Sequence, residues 1–387
     1  MKIKSLSYTQ HVGTPREWKI IDCTFSDLNL IVGENAVGKS RTLNVIRSLA
    51  DLVSGHRKTI LSSGNYDITF DSSKNSYNYR LQCENKKVLA ESLHDGEVTL
   101  LERGAGGRGK ILAAKLEKNG ALMDFQTPET ELACVARRDE IQHPFFQPLY
   151  DWGATLRHYH FGSKLGQDSY LIHVEDSDLS APDTRDENLV VHIFMHGEKE
   201  FGPEFNKRIV AGMAKVGYHI EELSADAPER IQVAPFGQHP YWLSVKEQDL
   251  PGETSQGEMS QGMFRCLSLI IQLVYSLMSD EANCVLVDDI GEGLDFERAS
   301  ALIKYMLASA EESNIQLLMA TNDRFVMNNV PLKHWMIAQR TRNCVNYVST
   351  RNAPKVFQRF EETGLSNFDM FASRFYENSG KGKCGAE

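Results

Sequence analysis

Residues 33–40 read Gly33-Glu34-Asn35-Ala36-Val37-Gly38-Lys39-Ser40. They follow directly on the apolar run Leu28-Asn29-Leu30-Ile31-Val32 and lead into a helical pattern from Arg41 to Val53. Strand, glycine-rich turn, Lys-Ser and helix is the order a phosphate-binding loop needs. Its two glycines let main-chain N–H groups turn inward around a phosphate, and the helix start adds partial positive charge at the same point. Lys39 reaches β- and γ-phosphates, and the Ser40 hydroxyl is a hard oxygen ligand for Mg²⁺.

The remainder of the composition sets bounds. A chain of 387 residues has room for a large core and for two or three domains. The net charge of −10 argues against a general polyanion coat, while leaving room for a local basic groove. Seven cysteines show no C-x-x-C pairing, and Cys23, Cys266 and Cys284 fall in apolar runs, so they read as reduced, apolar-filling cysteines of a cytoplasmic protein. Met1-Lys-Ile-Lys-Ser-Leu lacks a signal-peptide apolar region. The apolar stretches Cys266–Met278 and Cys284–Val287 are too short or too polar to span a bilayer, so no membrane association is expected.

Along the chain, Ile3–Tyr8 and Trp18–Phe25 read as strands. Tyr66–Phe70, Tyr77–Leu81 and Glu97–Leu101 continue the pattern, and Asn119-Gly120 signals a hairpin, so residues 60–130 are expected to form an antiparallel β layer. Gly104-x-Gly106-x-x-Gly109 matches a dinucleotide fingerprint in form only, because a hairpin arm rather than a helix follows it. That segment reads as a solvated basic loop carrying Arg103, Arg108 and Lys110. The aromatic cluster from Tyr150 to Phe161 reads as core, Gln167–Asn188 as a mobile loop, and Phe205–Gly217 as an amphipathic helix. Ile231–Ala234 and Trp242–Val245 read as a strand pair, and Phe357–Tyr376 as a packed helical end piece before a disordered Lys381–Glu387.

A second set of motifs lies far downstream. Asn283-Cys-Val-Leu-Val-Asp288-Asp289 is a buried strand ending in two carboxylates: Asp288 suits Mg²⁺, and Asp289 suits the orientation or deprotonation of a water. Ile290-Gly-Glu-Gly-Leu294-Asp295 follows, with Glu292 as an alternative base. Upstream, Glu258-Met-Ser260-Gln261-Gly262-Met-Phe-Arg265 opens an apolar helix whose Ser and Gly form an anion-binding end. Ile315–Ala320 is another buried strand, running into Thr321-Asn322-Asp323.

This order resembles the ATP-binding-cassette (ABC) ATPase heads, and more closely their non-transporter branch of SMC-type repair heads, overcoming-lysogenisation-defect proteins and stand-alone ATPases known as abortive-infection proteins. Gly33 to Ser40 looks like the Walker A loop, Met259 to Met263 like the signature, Val285 to Asp289 like Walker B, Gly293 to Asp295 like the D-loop, and Thr321 to Asp323 like the switch segment. The resemblance implies an α/β P-loop NTPase fold of the ABC-ATPase type: a central, mostly parallel sheet with an antiparallel β layer and a helical lobe. Residues 1–350 are then one head, with its nucleotide core from 1–60 and 245–350, an insertion at 61–244, and a helical extension and tail at 351–387. It implies ATP and Mg²⁺ as cofactors, with Gly33 to Ser40 and Arg41 on the nucleotide and Ser40 and Asp288 on the metal. Ser260, Gln261 and Gly262 of a second copy then close over the same ATP, in a homodimer or higher homo-oligomer.

Two departures from the family pattern bear on rate. Asp289 stands where the family has Glu, one methylene longer, and Asn322 stands where it has His. A base displaced by ~1 Å can cost on the order of 100-fold, and Asn can hydrogen-bond a γ-phosphate but cannot take its proton. The expectation is a slow ATPase used as a switch. No coiled-coil heptads and no second catalytic domain are legible, so the expected setting is a bacterial anti-phage assembly with a separate nuclease or toxin as effector. The second reading is a DNA-end-binding ATPase touching nucleic acid through Arg103, Arg108, Lys110, Arg137 and Arg138.

Overall fold

The computed structural model describes residues 1–72, 75–114, 121–174, 178–227, 238–280 and 282–379. The chain divides into two compact units, one formed by Met1–Leu156 with Pro331–Glu387 and the other by Arg157–Val330.

The first unit begins with β1 (Lys2–Gln10), β2 (Trp18–Thr24), β3 (Leu28–Val32) and α1 (Lys39–Val53). The antiparallel layer follows as β4 (Ser63–Asp71), β5 (Ser76–Glu84), β6 (Lys87–Asp95), β7 (Val98–Arg103), β8 (Arg108–Ala113) and β9 (Ala121–Gln126). Two helices, α2 (Ala133–Ala136) and α3 (Gln147–Thr155), complete its N-terminal part. The second unit holds β10 (Arg157–His160), β11 (Leu171–Val174), α4 (Val190–Phe201), α5 (Pro203–Lys215), β12 (Ile220–Asp226), β13 (Gln238–Glu247) and β14 (Glu253–Ser255). It continues with α6 (Gln261–Met278), β15 (Cys284–Asp288), α7 (Phe296–Ser313), β16 (Gln316–Thr321) and α8 (Arg324–Asn329). The chain then returns to the first unit as β17 (Trp335–Thr341), β18 (Cys344–Ser349), α9 (Pro354–Glu361) and α10 (Asn367–Ala372).

Burial follows the sequence pattern. Every residue of β3, β15 and β16 is buried, as expected of parallel strands covered on both faces. β15 pairs in parallel with β10 and β16, and β3 pairs in parallel with β17. By contrast, β4 and β5 alternate buried with half-buried or exposed residues, the signature of an antiparallel layer with one face on a core. From β4 to β9 each strand pairs antiparallel with the next. The sequence reading of a mostly parallel core with an antiparallel β layer and a helical lobe holds.

Several local readings hold as well. Trp152, Tyr159 and Phe161 are core residues, Phe205, Ile209 and Met213 are the buried face of α5, and Val356, Phe357, Phe360 and Met370 pack the end piece. The Gly104–Gly109 segment is a short 3-10 turn between two antiparallel strands, with no helix after it. Its glycines serve close approach of main chains: a Cβ on Gly107 would collide with the Thr127 carbonyl, and one on Gly109 with that of Glu102. The stretch of α6 is long and apolar enough to cross a membrane, but 78% of it is buried inside the protein, which is the environment of a core helix.

Several expectations are corrected or fall outside the described residues. Arg103 is not a solvated loop cation: its side chain is fully buried, Nε lies 2.9 Å from Glu91 Oε2, and the guanidinium donates to the carbonyls of Thr127, Pro128 and Glu131. Arg137 donates to the Gln126 carbonyl, and Arg138 stacks on Tyr150 3.6 Å from the ring centre, so three of the five expected nucleic-acid contacts have structural work within the fold. The Gln167–Asn188 loop is interrupted by β11, and Gln167 and Glu187 near its two ends are engaged in hydrogen bonds. Cys23, Cys83, Cys134, Cys266 and Cys284 are free and buried as read. The Asn119-Gly120 turn, the Ile231–Ala234 strand and the Lys381–Glu387 tail lie outside the described residues.

Candidate functional site

The Gly33–Ser40 segment belongs to the first unit. β3 ends at Val32, and eight residues turn the chain into α1. Ala36 and Gly38 have φ of 62° and 115°, left-handed conformations that swing successive N–H groups toward one side. Only glycine fits at position 38: a Cβ there would lie 3.2 Å from both Trp18 and Val345, on a backbone that side chains disfavour. Gly33 is equally confined, with a Cβ position 2.8 Å from Val37 Cγ1. Lys39 is 7% exposed, and its Nζ folds back over the loop to donate to the carbonyls of Gly33 at 2.8 Å and Glu34 at 3.2 Å. Thr42 fastens the first turn, its hydroxyl 2.6 Å from Tyr347 Oη.

The outer arm of the loop is tied down too. Glu34 pairs with Arg374 at 2.7 Å, and the Ala36 carbonyl accepts from Arg340 Nη1 at 3.1 Å. Asn35 is exposed, Val37 is buried and Ser40 is half-buried on the first turn of α1. Arg41 stacks over Trp18, 3.9 Å from the ring centre, and donates to Gln10; desolvation pulls its pKa below the usual arginine value. The first turn of α1 carries no acidic residue. An inward-turned main chain, a lysine over the loop, a hydroxyl at the helix start and a first turn without acidic residues together fit a nucleotide's phosphates.

The second unit gathers the other motifs. Asp288 ends β15 and is 4% exposed; its Oδ1 accepts from the Asp289 N–H, and its carbonyl accepts from Phe161 N–H at 2.9 Å. Asp289 is half-buried with φ 53°, an uncommon conformation in which Asp and Asn are enriched. The turn it opens is docked on the end of β16: Ile290 N–H donates to Ala320, and Thr321 Oγ1 donates to the Ile290 carbonyl. Gly291 leaves no room for a side chain, since a Cβ would lie 2.5 Å from Val326. Asn322 is exposed just beyond β16, and Asp323 caps α8 by accepting from Phe325 and Val326 N–H groups. The Asp288–Asp289 strand end and the Thr321–Asp323 segment are thus neighbours on adjacent parallel strands.

The Ser260–Gly262 segment is likewise placed by its surroundings. Ser260 is the N-cap of α6, its Oγ accepting from Met263 N–H at 3.3 Å, and Ser260 and Gln261 are exposed. Gly262 abuts the Gly293–Leu294 turn, where its Cβ position is 3.1 Å from Leu294 Cδ2 and 3.5 Å from the Gly293 carbonyl. Asp295 caps α7 by accepting from Arg298 N–H, which with the Arg298 guanidinium holds its carboxyl below the ordinary value of 3.8. Burial pushes the Cys266 thiol up to about 12, so it is a neutral filler. Glu292 is exposed, with Oε2 2.7 Å from where a Cβ on Gly162 would stand.

Three groups went unread in the sequence. Gln167 Nε2 donates to the Met259 carbonyl, and the buried Gln256 donates to Gly166, Gln167 and Ser169, binding the approach to Ser260 onto one loop. His160 lies opposite Asp288 in the β10–β15 register, and Glu187 grips both its N–H and its Nδ1. Arg265 donates to three main-chain carbonyls. Only the last had a usable signal, a charged residue inside an apolar helix, since the partners of the other two are distant in sequence. Among the described residues, no group of three or more His, Cys, Asp or Glu is arranged to hold a metal by itself.

No protein-family model and no curated protein matches this chain. Solved structures do. An Smc head bound to the C-winged helix domain of ScpA aligns over 92% of this chain and 100% of its own, with TM-score 0.54 and 15% identity. The SMC head domain from Thermotoga maritima aligns over 90% and 99%, with TM-score 0.45 and 12% identity. The Smc head with an extended coiled coil bound to the C-terminal domain of ScpA, derived from Pyrococcus furiosus, aligns over 93% and 99%, with TM-score 0.47 and 13% identity. The first of these likenesses shows the fold: this chain is folded like an Smc head.

Proposed function

We propose, from the ABC-type head fold, that this chain binds ATP with Mg²⁺ and hydrolyses it slowly, as a switch between separate and paired copies. The observation that carries the reading is the loop itself: Lys39 folded over Gly33 and Glu34, with Gly38 confined between Trp18 and Val345. In this reading Gly33 to Ser40 and Arg41 hold the nucleotide, and Ser40 and Asp288 hold Mg²⁺. Asp289 orients or deprotonates the water, with Glu292 as the alternative, and Asn322 hydrogen-bonds the γ-phosphate. Ser260, Gln261 and Gly262 act on the ATP of the other copy. A phosphate gripped between a loop and an opposing helix end joins two surfaces, and its loss on hydrolysis separates them.

The finer reading is a switch within an anti-phage assembly whose nuclease or toxin is a separate protein. It is supported by the sequence resemblance to abortive-infection ATPases, and its test is copurification from the native host with and without a non-hydrolysable ATP analogue. Recovery of an ATP-dependent enzyme partner is the expected result. The core reading is tested by mass in solution. Wild-type chain with Mg²⁺ and the analogue should double in mass, and Lys39→Ala should weaken ATP binding by on the order of 10- to 100-fold, the worth of a charged hydrogen bond. A wild-type chain that stays monomeric with analogue would overturn the pairing, and single-turnover hydrolysis faster than ~10 s⁻¹, the enzyme median, would overturn the slow switch.

A further inference from the structure

Arg265 sits in the second turn of α6, five residues after the Ser260 cap, and is 8% exposed. An arginine there costs desolvation unless the fold repays every donor. Nε donates to the Ser163 carbonyl at 2.7 Å, Nη2 to Gly162 at 2.9 Å and Nη1 to Glu292 at 3.1 Å. The partners come from two different segments, the loop after β10 and the turn after β15, while the guanidinium itself belongs to α6. The surrounding main chain is shaped to it. Gly293 has φ 78°, and a Cβ there would stand 2.8 Å from Nη1; a Cβ on Gly162 would stand 3.4 Å from Asp289 Cβ. A lysine could satisfy one of these carbonyls at a time, because only the planar fork presents three donors in fixed directions.

We propose that Arg265 is a positioning residue that makes the Ser260–Gly262 helix end and the Asp289–Glu292 turn one rigid piece. This rests on the ATP-switch reading above. In that reading Ser260 of a copy meets the nucleotide held by the other copy, while Asp289 works on the nucleotide of its own. A rigid link between them couples the two ATP sites of a pair: closure of one signature end fixes the water-orienting carboxylate at the other nucleotide. The link lies wholly within the second unit, so the phosphate loop should bind ATP without it.

The test uses the full chain as wild type, R265K and R265A. Affinity for a fluorescent Mg²⁺-ATP analogue should stay within about twofold of wild type, as for independent sites. Wild type should show a sigmoidal dependence of hydrolysis on ATP; both variants should become hyperbolic, with kcat lower by at least ~10-fold, the scale of sub-ångström misplacement. Amide exchange of residues 288–295 should accelerate in R265K, which keeps the stem and the charge and so covers the case of R265A failing to fold. An R265K chain with unchanged kcat, sigmoidicity and exchange overturns the proposal, as does a hyperbolic wild type. A wild type that binds no ATP overturns the ATP reading instead, and the exchange of R265K still decides whether Arg265 holds the turn.

Discussion

Asp289 shows how a residue can be readable in type and unreadable in conformation. The sequence places a carboxylate after Asp288 and marks it as shorter than the family's Glu. The backbone at φ 53° adds a second reason for that choice, since Asp and Asn accept the left-handed region better than longer side chains do. Asp289→Asn therefore keeps the turn and removes the base. ATP binding should be retained while phosphate release falls by ~10²- to 10⁴-fold, the usual worth of general-base catalysis. Unchanged release would shift the role to Glu292, and lost binding would mean that the residue serves the fold. Lys39, Gly38 and Ser260 were legible because their chemistry is local: a loop, a positive φ and a helix cap. Arg265 was legible only as a charge inside an apolar helix; its three acceptors were not, because they are separated from it by up to 103 residues of chain and carry no side-chain signature.

At the level of elements, long apolar runs gave reliable readings and turn chemistry gave uneven ones. β3, β15 and β16 are continuous apolar strands, and nothing but a doubly covered sheet can absorb them. β6 escaped because the turn before it is Asn85-Lys86, with φ of 51° and 61°; a lysine fills the place where glycine would have announced a two-residue hairpin. Arg103 escaped because its neighbours are glycines, which suggest solvent, whereas its partner Glu91 lies on the adjacent strand. Glu91 accepts from Tyr79 Oη and from the N–H groups of Ala133 and Cys134, so this carboxylate pins α2 to the β layer. Glu91→Gln would strand the Arg103 charge in the interior. Urea unfolding should show a loss of ~3–5 kcal/mol, the cost of breaking a buried pair. A double change of Glu91 and Arg103 to apolar residues should recover much of it; failure to recover would assign the loss to the main-chain contacts of Glu91 instead.

On the scale of the whole molecule, the sequence revealed which segments carry chemistry and left their strand order hidden, because pairing between distant strands has no local signal. The first unit is assembled from both ends of the chain. β2 and β3 are consecutive in sequence, yet they do not pair: β17 lies against β3, β18 against β2, and β17 and β18 pair with each other. Val345 of β18 is one of the two walls that confine Gly38, and Tyr347 holds Thr42. This has a consequence for biosynthesis. On the ribosome, Gly33 to Ser40 emerge long before β17 and β18, the strands that complete their sheet. Chains arrested after Val330 should therefore be protease-sensitive around α1 and should not retain ATP, whereas chains arrested with residues 331–352 outside the exit tunnel should be protease-resistant there and should retain ATP; equal protection in the two would show that the early strands can pair without their late neighbours. Until residues 331–352 appear, nascent β2 and β3 present open strand edges, and a chaperone that shields them during elongation would raise the yield of competent protein.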